Sequence, residues 1–220
     1  MKKKQKMKMS FRVLILSLFA LVCFSGNAQV FEITPTYGYQ FGSKLNYGPN
    51  YLKMEDSGMF GITLGYEVRR NYMLEATYMN MGSELRIKDR IASPRESRLA
   101  DLNADWFMFG GTRYFGNDKV KPFFGGQMGF SVFSPDDVDR TIAPRGLDSI
   151  TKFSFGFKGG VVVMLSDKIG LNFQGNLLFP VQWGGFYVGA GSGGISSGVN
   201  AGSTLVLGGF SGGLVFRLGA

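Results

Sequence analysis

Along residues 31 to 42 the chain reads FEITPTYGYQFG, with Phe31, Ile33, Pro35, Tyr37, Tyr39 and Phe41 alternating against Glu32, Thr34, Thr36, Gly38, Gln40 and Gly42. A period of two places the first set on one side of a β-strand and the second on the other. Seven more segments of this kind follow. Phe60, Ile62, Leu64, Tyr66 and Val68 oppose Gly61, Thr63, Gly65 and Glu67, and Leu74, Ala76 and Tyr78 oppose Glu75 and Thr77, with Met73 and Met79 against the trend. Between Leu102 and Tyr114 the pattern puts Ala104, Trp106, Met108 and Tyr114 on the apolar side and Asn103, Asp105 and Arg113 on the polar side, although Phe107 and Phe109 then fall among the polar positions.

The remaining four segments are cleaner. Val120, Pro122, Phe124, Met128, Phe130 and Val132 alternate with Lys121, Gly125, Gln127, Gly129 and Ser131. Phe153, Phe155, Phe157, Val161, Val163 and Leu165 alternate with Ser154, Gly156, Lys158 and Gly160. Ile169, Leu171, Phe173, Leu177 and Phe179 oppose Gly170, Asn172, Gln174 and Asn176, and Phe210, Leu214, Phe216 and Leu218 oppose Gly209, Ser211, Gly213 and Arg217. Prolines 35 and 122 fit no strand interior comfortably.

The connections alternate in length. RRN at 69–71, GND at 116–118 and SDK at 166–168 are short and carry turn-forming residues. The intervening segments, about 43–57, 83–99, 134–150 and 182–202, are long, so all long loops open at one end. Short periplasmic turns and long extracellular loops are the asymmetry of outer-membrane barrels. A soluble eight-stranded barrel would have to pack its apolar, aromatic-rich face into an interior only just wide enough for side chains. The polar face, rich in Gly, Ser, Thr, Asn and Gln, lacks the charges of a solvated exterior and suits a narrow lumen. The pattern therefore predicts an all-β fold: an eight-stranded antiparallel up-and-down transmembrane β-barrel, greasy side outward, closed so that no backbone edge meets hydrocarbon. Tyr39, Tyr66, Tyr72, Tyr78, Trp106, Tyr114 and Phe216 fall near strand ends, as an interfacial aromatic girdle would. A lipocalin-like secreted binder is the soluble rival.

Residues 1–28 have the form of a secretory signal peptide: a basic start, an apolar run from Val13 to Phe24, and small residues up to Ala28. The run is too short to span a bilayer, and Cys23 follows Val22 where a lipoprotein signal wants a smaller residue. Residues 29–220 form the barrel domain. The leader takes six basic residues and the one cysteine with it, leaving eighteen basic residues against sixteen acidic ones. The pI of 9.6 therefore belongs mostly to the leader, and no nucleic-acid partner is expected.

With these segments in place, residues 29–220 resemble the small OmpA/OmpX-like eight-stranded outer-membrane barrels. The closing SGGLVFRLGA is similar to the signal read by barrel-assembly machinery in such proteins, carried by Ser211, Gly213, Phe216 and Leu218, though Gly219 and Ala220 follow the aromatic. The resemblance implies residence in the bacterial outer membrane and contact with its lipid, lipopolysaccharide and the assembly machinery. It implies a structural or interaction role through the outward loops, with an envelope protein as a further partner, or an accessory place in an envelope or secretion complex. A narrow channel or hydrophobic-ligand conduit is the alternative. The lipid-A acyltransferases, deacylases and proteases among such barrels rely on histidine, and this chain has none, so no catalytic residue is expected.

Candidate chemistry is therefore in the lumen and loops. Glu32, Glu67, Glu75, Asp105, Arg113, Lys121, Lys158 and Arg217 are expected to form a lumen polar network, since unpaired charge in a narrow bore is costly. Glu32, Glu67, Glu75, Arg113, Lys121 and Arg217 should sit low, near the periplasmic ends of their strands, with Asp105 and Lys158 paired above them. Arg86, Lys88, Arg90, Arg95 and Arg98 offer contacts to lipid phosphates, but Glu84, Asp89 and Glu96 are interleaved with them, which favours a simple solvated loop. Gly189, Gly191 and Gly194 match G-x-G-x-x-G without a βαβ unit around them. Asp136, Asp137 and Asp139 lack the spacing of a calcium loop. Neither a cofactor nor a metal is expected.

Overall fold

The computed structural model describes residues 30–219 apart from 48, 91–92, 145, 182–185, 192–193 and 200–204. The predicted leader, residues 1–28, lies outside the described residues. In chain order the strands are β1 (Phe31–Gln40), β2 (Ser43–Tyr47), β3 (Asn50–Met54), β4 (Ser57–Arg69), β5 (Tyr72–Asp89), β6 (Ser93–Tyr114), β7 (Val120–Asp136), β8 (Ile150–Met164), β9 (Ile169–Val181), β10 (Phe186–Gly191), β11 (Gly194–Val199) and β12 (Leu207–Leu218). Eight of them close an antiparallel ring, β1-β4-β5-β6-β7-β8-β9-β12, sealed where β1 pairs with β12. These are the eight alternating segments of the sequence.

Alternation becomes sidedness directly. Along β4, Met59, Gly61, Thr63 and Gly65 are buried while Phe60 and Leu64 are exposed. Phe107, Phe109, Phe124, Phe130, Phe155, Phe157, Phe173 and Phe210 form an exposed aromatic coat around the ring, which is the lipid-facing band of such a fold. Curvature is tightest on the inside. A Cβ at inward Gly160 would lie 2.1 Å from the Phe173 carbonyl oxygen of the adjacent strand, so only glycine lets the two strands close there.

The two strand prolines also find their place. The β1–β12 ladder passes from Ile33↔Phe216 to Thr36↔Gly213, omitting Thr34 and Pro35, so the ladder gives way where proline has no N–H to donate. The β6–β7 ladder ends at Tyr114↔Phe123, one residue short of Pro122.

Only part of the predicted long loops is loop. β2 and β3 form a hairpin, and β3 docks on the upper part of β5, pairing Tyr51–Met54 with Leu85–Lys88. The stretch expected to be a loop at 83–99 continues β5 and β6, which pair up to Asp89↔Ser93. Their alternation had a signal, since Leu85 and Ile87 face the apolar core while Arg86 and Lys88 do not. A four-stranded sheet of β2, β3, β5 and β6 thus rises beyond the ring. β10 and β11 pair with each other as a separate two-stranded sheet, and Gly189, Gly191 and Gly194 lie on these strands.

Candidate functional site

The lumen has two unlike halves. Toward the short turns, Glu32 on β1 and Arg217 on β12 are cross-strand partners. Both Nε (2.9 Å) and Nη2 (2.6 Å) of Arg217 donate to Glu32 Oε1, and the Tyr114 hydroxyl donates to Oε2 at 3.2 Å. Higher in the bore, Lys158 Nζ stands 2.6 Å from Glu75 Oε2, which also accepts from Thr112 Oγ1 at 2.6 Å and Gln127 Nε2 at 3.3 Å. Gln127 donates on to Thr77 Oγ1 at 2.9 Å, and Thr77 shares a 3.1 Å hydrogen bond with Thr63. Phe123, Val162, Met164 and Val215, with Tyr114 against them, pack beside these groups. A paired carboxylate with several donors meets the conditions under which buried charge is tolerated.

Above this polar lock the inward residues change character. Met54, Met59, Met79, Met81, Leu85, Leu99, Leu102, Trp106, Met108, Phe133, Leu178 and Leu207 form one apolar cluster. Trp106 and Met81 are fully buried, and Trp106 meets Phe133 edge to face at 5.8 Å. Over them opens a cavity of about 550 Å³ lined chiefly by Leu52, Met54, Leu85, Leu102, Phe133 and Leu205. Its other lining residues include Ser43, Asn46, Asp148, Ile150 and Lys152. Pockets of this size and apolar character are typical of small-molecule sites.

The eight predicted lumen charges do not all lie within. Glu32, Glu75, Lys121, Lys158 and Arg217 do, and Glu67 accepts the Asn71 N–H at 3.0 Å beside a tight turn. Asp105 and Arg113 face outward, because β6 has the opposite parity to that expected. Asp105 Oδ1 accepts from the Tyr78 hydroxyl at 2.7 Å and Asn80 Nδ2 at 2.8 Å on the outer surface. Arg113 lies over the rings of Tyr72 and Phe115 at 5.2 and 5.1 Å. Lys158 therefore pairs with Glu75, not Asp105. For the same reason Trp106 and Tyr114 leave the predicted girdle: the first plugs the lumen and the second holds Glu32. The cause is that Trp106-Phe107-Met108-Phe109 is apolar on both faces, since the lumen itself is apolar at that height.

Of the other girdle residues, Tyr66, Tyr72, Tyr78 and Phe216 lie on the outer face, and the Tyr39 hydroxyl donates to Asp56 Oδ2 at 2.8 Å. Phe216 and Leu218 are exposed on β12, with Ser211 buried inside and Gly213 at an inward position beside Thr36. Among the loop cations, Arg86 is held by Glu55, Glu84 and Glu96, at 3.7, 2.9 and 2.9 Å. Arg98 is held by Asp101 and Asp137, each at 2.8 Å. Lys88, Arg90 and Arg95 are exposed. On this outer sheet Tyr51 donates to Glu96, whose carboxyl is thereby held below its ordinary range. Asp139 accepts from the Thr141 hydroxyl and N–H at 2.6 and 2.9 Å, which keeps its carboxyl low as well.

Sequence reasoning missed the upper half of the site. Its signal is the set of methionines at polar parity, Met59, Met79 and Met81, all buried in the upper cluster.

A family model for the outer membrane protein beta-barrel domain matches residues 14–177. No curated protein matches the sequence. Among solved structures, the outer membrane protein OprG from Pseudomonas aeruginosa is similar at 13% identity and a TM-score of 0.64, covering 88% of this chain and 97% of that one. Neisserial surface protein A is similar at 13% identity and a TM-score of 0.57, covering 86% of this chain and 97% of that one. Such identities speak for the shared fold. With a closed eight-stranded ring, an aromatic coat and a family match over well more than half its length, the chain belongs to the outer membrane protein beta-barrel domain family, whose place is the bacterial outer membrane.

Proposed function

We propose that this protein is a non-enzymatic binding barrel that receives an apolar ligand at its extracellular mouth while its lower lumen stays shut. The observation that carries this reading is the cavity of about 550 Å³ lined by Leu52, Met54, Leu85, Leu102, Phe133 and Leu205. An apolar concavity open to water is costly to leave uncovered, and a methionine-rich wall re-packs easily around a guest. The Glu75–Lys158 and Glu32–Arg217 pairs beneath it favour binding over conduction.

The test is titration of the neutral dye N-phenyl-1-naphthylamine against the barrel in phosphatidylcholine nanodiscs, with empty discs subtracted. Saturable fluorescence that is lost in Leu52→Glu and Ile150→Glu supports the site. A response equal to that of empty discs contradicts it.

A second reading places function on the outer sheet, where exposed Lys88, Arg90 and Arg95 suit lipid phosphates or an anionic partner. It has less support, because Arg86 and Arg98 already spend their charge on carboxylates.

A further inference from the structure

The mouth cavity has one charged feature that its apolar walls do not explain. Lys152, half-buried on β8, is the one cation among its described lining residues. No hydrogen bond or ion pair joins its ammonium to any described residue, whereas Lys158, three inward positions below it on the same strand, is engaged by Glu75 at 2.6 Å. The apolar wall stands on other strands: Leu52 and Met54 on β3, Leu85 on β5, Leu102 on β6 and Phe133 on β7. Lys152 lies opposite Ser131 in the ladder, and Ser131 is already satisfied by Ser154 at 2.7 Å. Among the described lining residues the other polar ones, Ser43 and Asn46, are uncharged, and the single acid, exposed Asp148, also borders a neighbouring polar cavity with Asp136, Asp137 and Arg140.

An ammonium on a flexible stem next to apolar surface keeps its charge by finding water or an anion. A guest that fills the cavity displaces the water, so a neutral guest would strand the charge and an anionic one would satisfy it. The mouth cavity of about 550 Å³ has room for one small ligand. Building on the apolar-mouth reading above, we propose that the ligand is a single-chain amphiphile with an anionic head group, its tail against the β3–β5–β6–β7 wall and its head on Lys152.

Competition against the bound dye tests this with dodecanoate and dodecanol, which share a tail and differ in the head. Measurements are made at about pH 9, where carboxylate and ammonium are both charged. Lys152→Met is expected to weaken dodecanoate roughly five- to tenfold and leave dodecanol unchanged. Lys152→Arg should retain the dodecanoate affinity, and Asp148→Asn should raise it by removing a like charge. If the dye and dodecanol bind while dodecanoate is insensitive to Lys152→Met, the head-group assignment is wrong and the apolar mouth survives. If neither the dye nor either amphiphile binds, both readings fall.

Discussion

The two halves of the bore occupy the same kind of position in the fold, inward-facing sites on eight strands, yet they are stabilised by opposite chemistry. In the lower half each carboxylate has been given its donors: Glu32 holds Arg217 and Tyr114, and Glu75 holds Lys158, Thr112 and Gln127. In the upper half Met59, Met79 and Met81 pack with Trp106, Leu102 and Phe133 in one apolar cluster. The difference teaches that barrel alternation specifies which side is inside but not what the inside is made of. A charged lock tolerates no missing partner, whereas a methionine cluster tolerates reshaping.

The sharpest way to break this contrast is to remove one partner from the lock. Glu75→Leu leaves Lys158 without its carboxylate and should cost about 3–5 kcal/mol, measured by urea unfolding in vesicles. Adding Lys158→Met should recover most of that loss, since an apolar replacement of both groups removes the stranded charge. In the upper half Met81→Ala should cost less, about 2–3 kcal/mol, because its flexible neighbours can close on the space. Outside the bore, Asp105→Asn should change stability by no more than about 0.5 kcal/mol. A loss as large as that of Glu75→Leu would return Asp105 to the lumen.

A weaker effect separates the outer sheet from the ring. Asp56 accepts the Gly42 N–H at 2.8 Å and the Tyr39 hydroxyl at 2.8 Å, which hold its carboxyl below the ordinary range, as Tyr51 does for Glu96. Groups lowered in the folded state contribute above their unfolded values and lose that contribution as the pH falls through the folded ones. Hydrogen exchange in residues 42–56 should therefore quicken below the usual carboxylate range while the ring strands keep their protection.

The ring was legible because β1, β4, β7, β8, β9 and β12 alternate between large apolar and small polar residues, and each such residue has only two faces to choose from. β6 misled because Trp106, Phe107, Met108 and Phe109 satisfy lipid and lumen equally well. Its parity is settled by register, which brings Trp106 opposite inward Met79 and Arg113 opposite outward Tyr72. The Glu32–Arg217 pair joins residues 185 apart in sequence, and Glu75–Lys158 crosses the bore. Neither pairing leaves a local trace, so charge identity was readable and partner choice was not. The upper cavity is assembled from β3, β5, β6, β7 and β8 together, and its β5 wall, at Leu85, lies in residues 83–99, where the sequence pattern predicts a loop.

The division of the bore is tested most directly by planar-bilayer recording of the purified barrel. The account predicts no stable conductance steps from the wild-type protein, because the Glu75–Lys158 and Glu32–Arg217 pairs and the Trp106–Met81 packing close the bore in series. Stable steps of fixed size from the wild-type protein would contradict it.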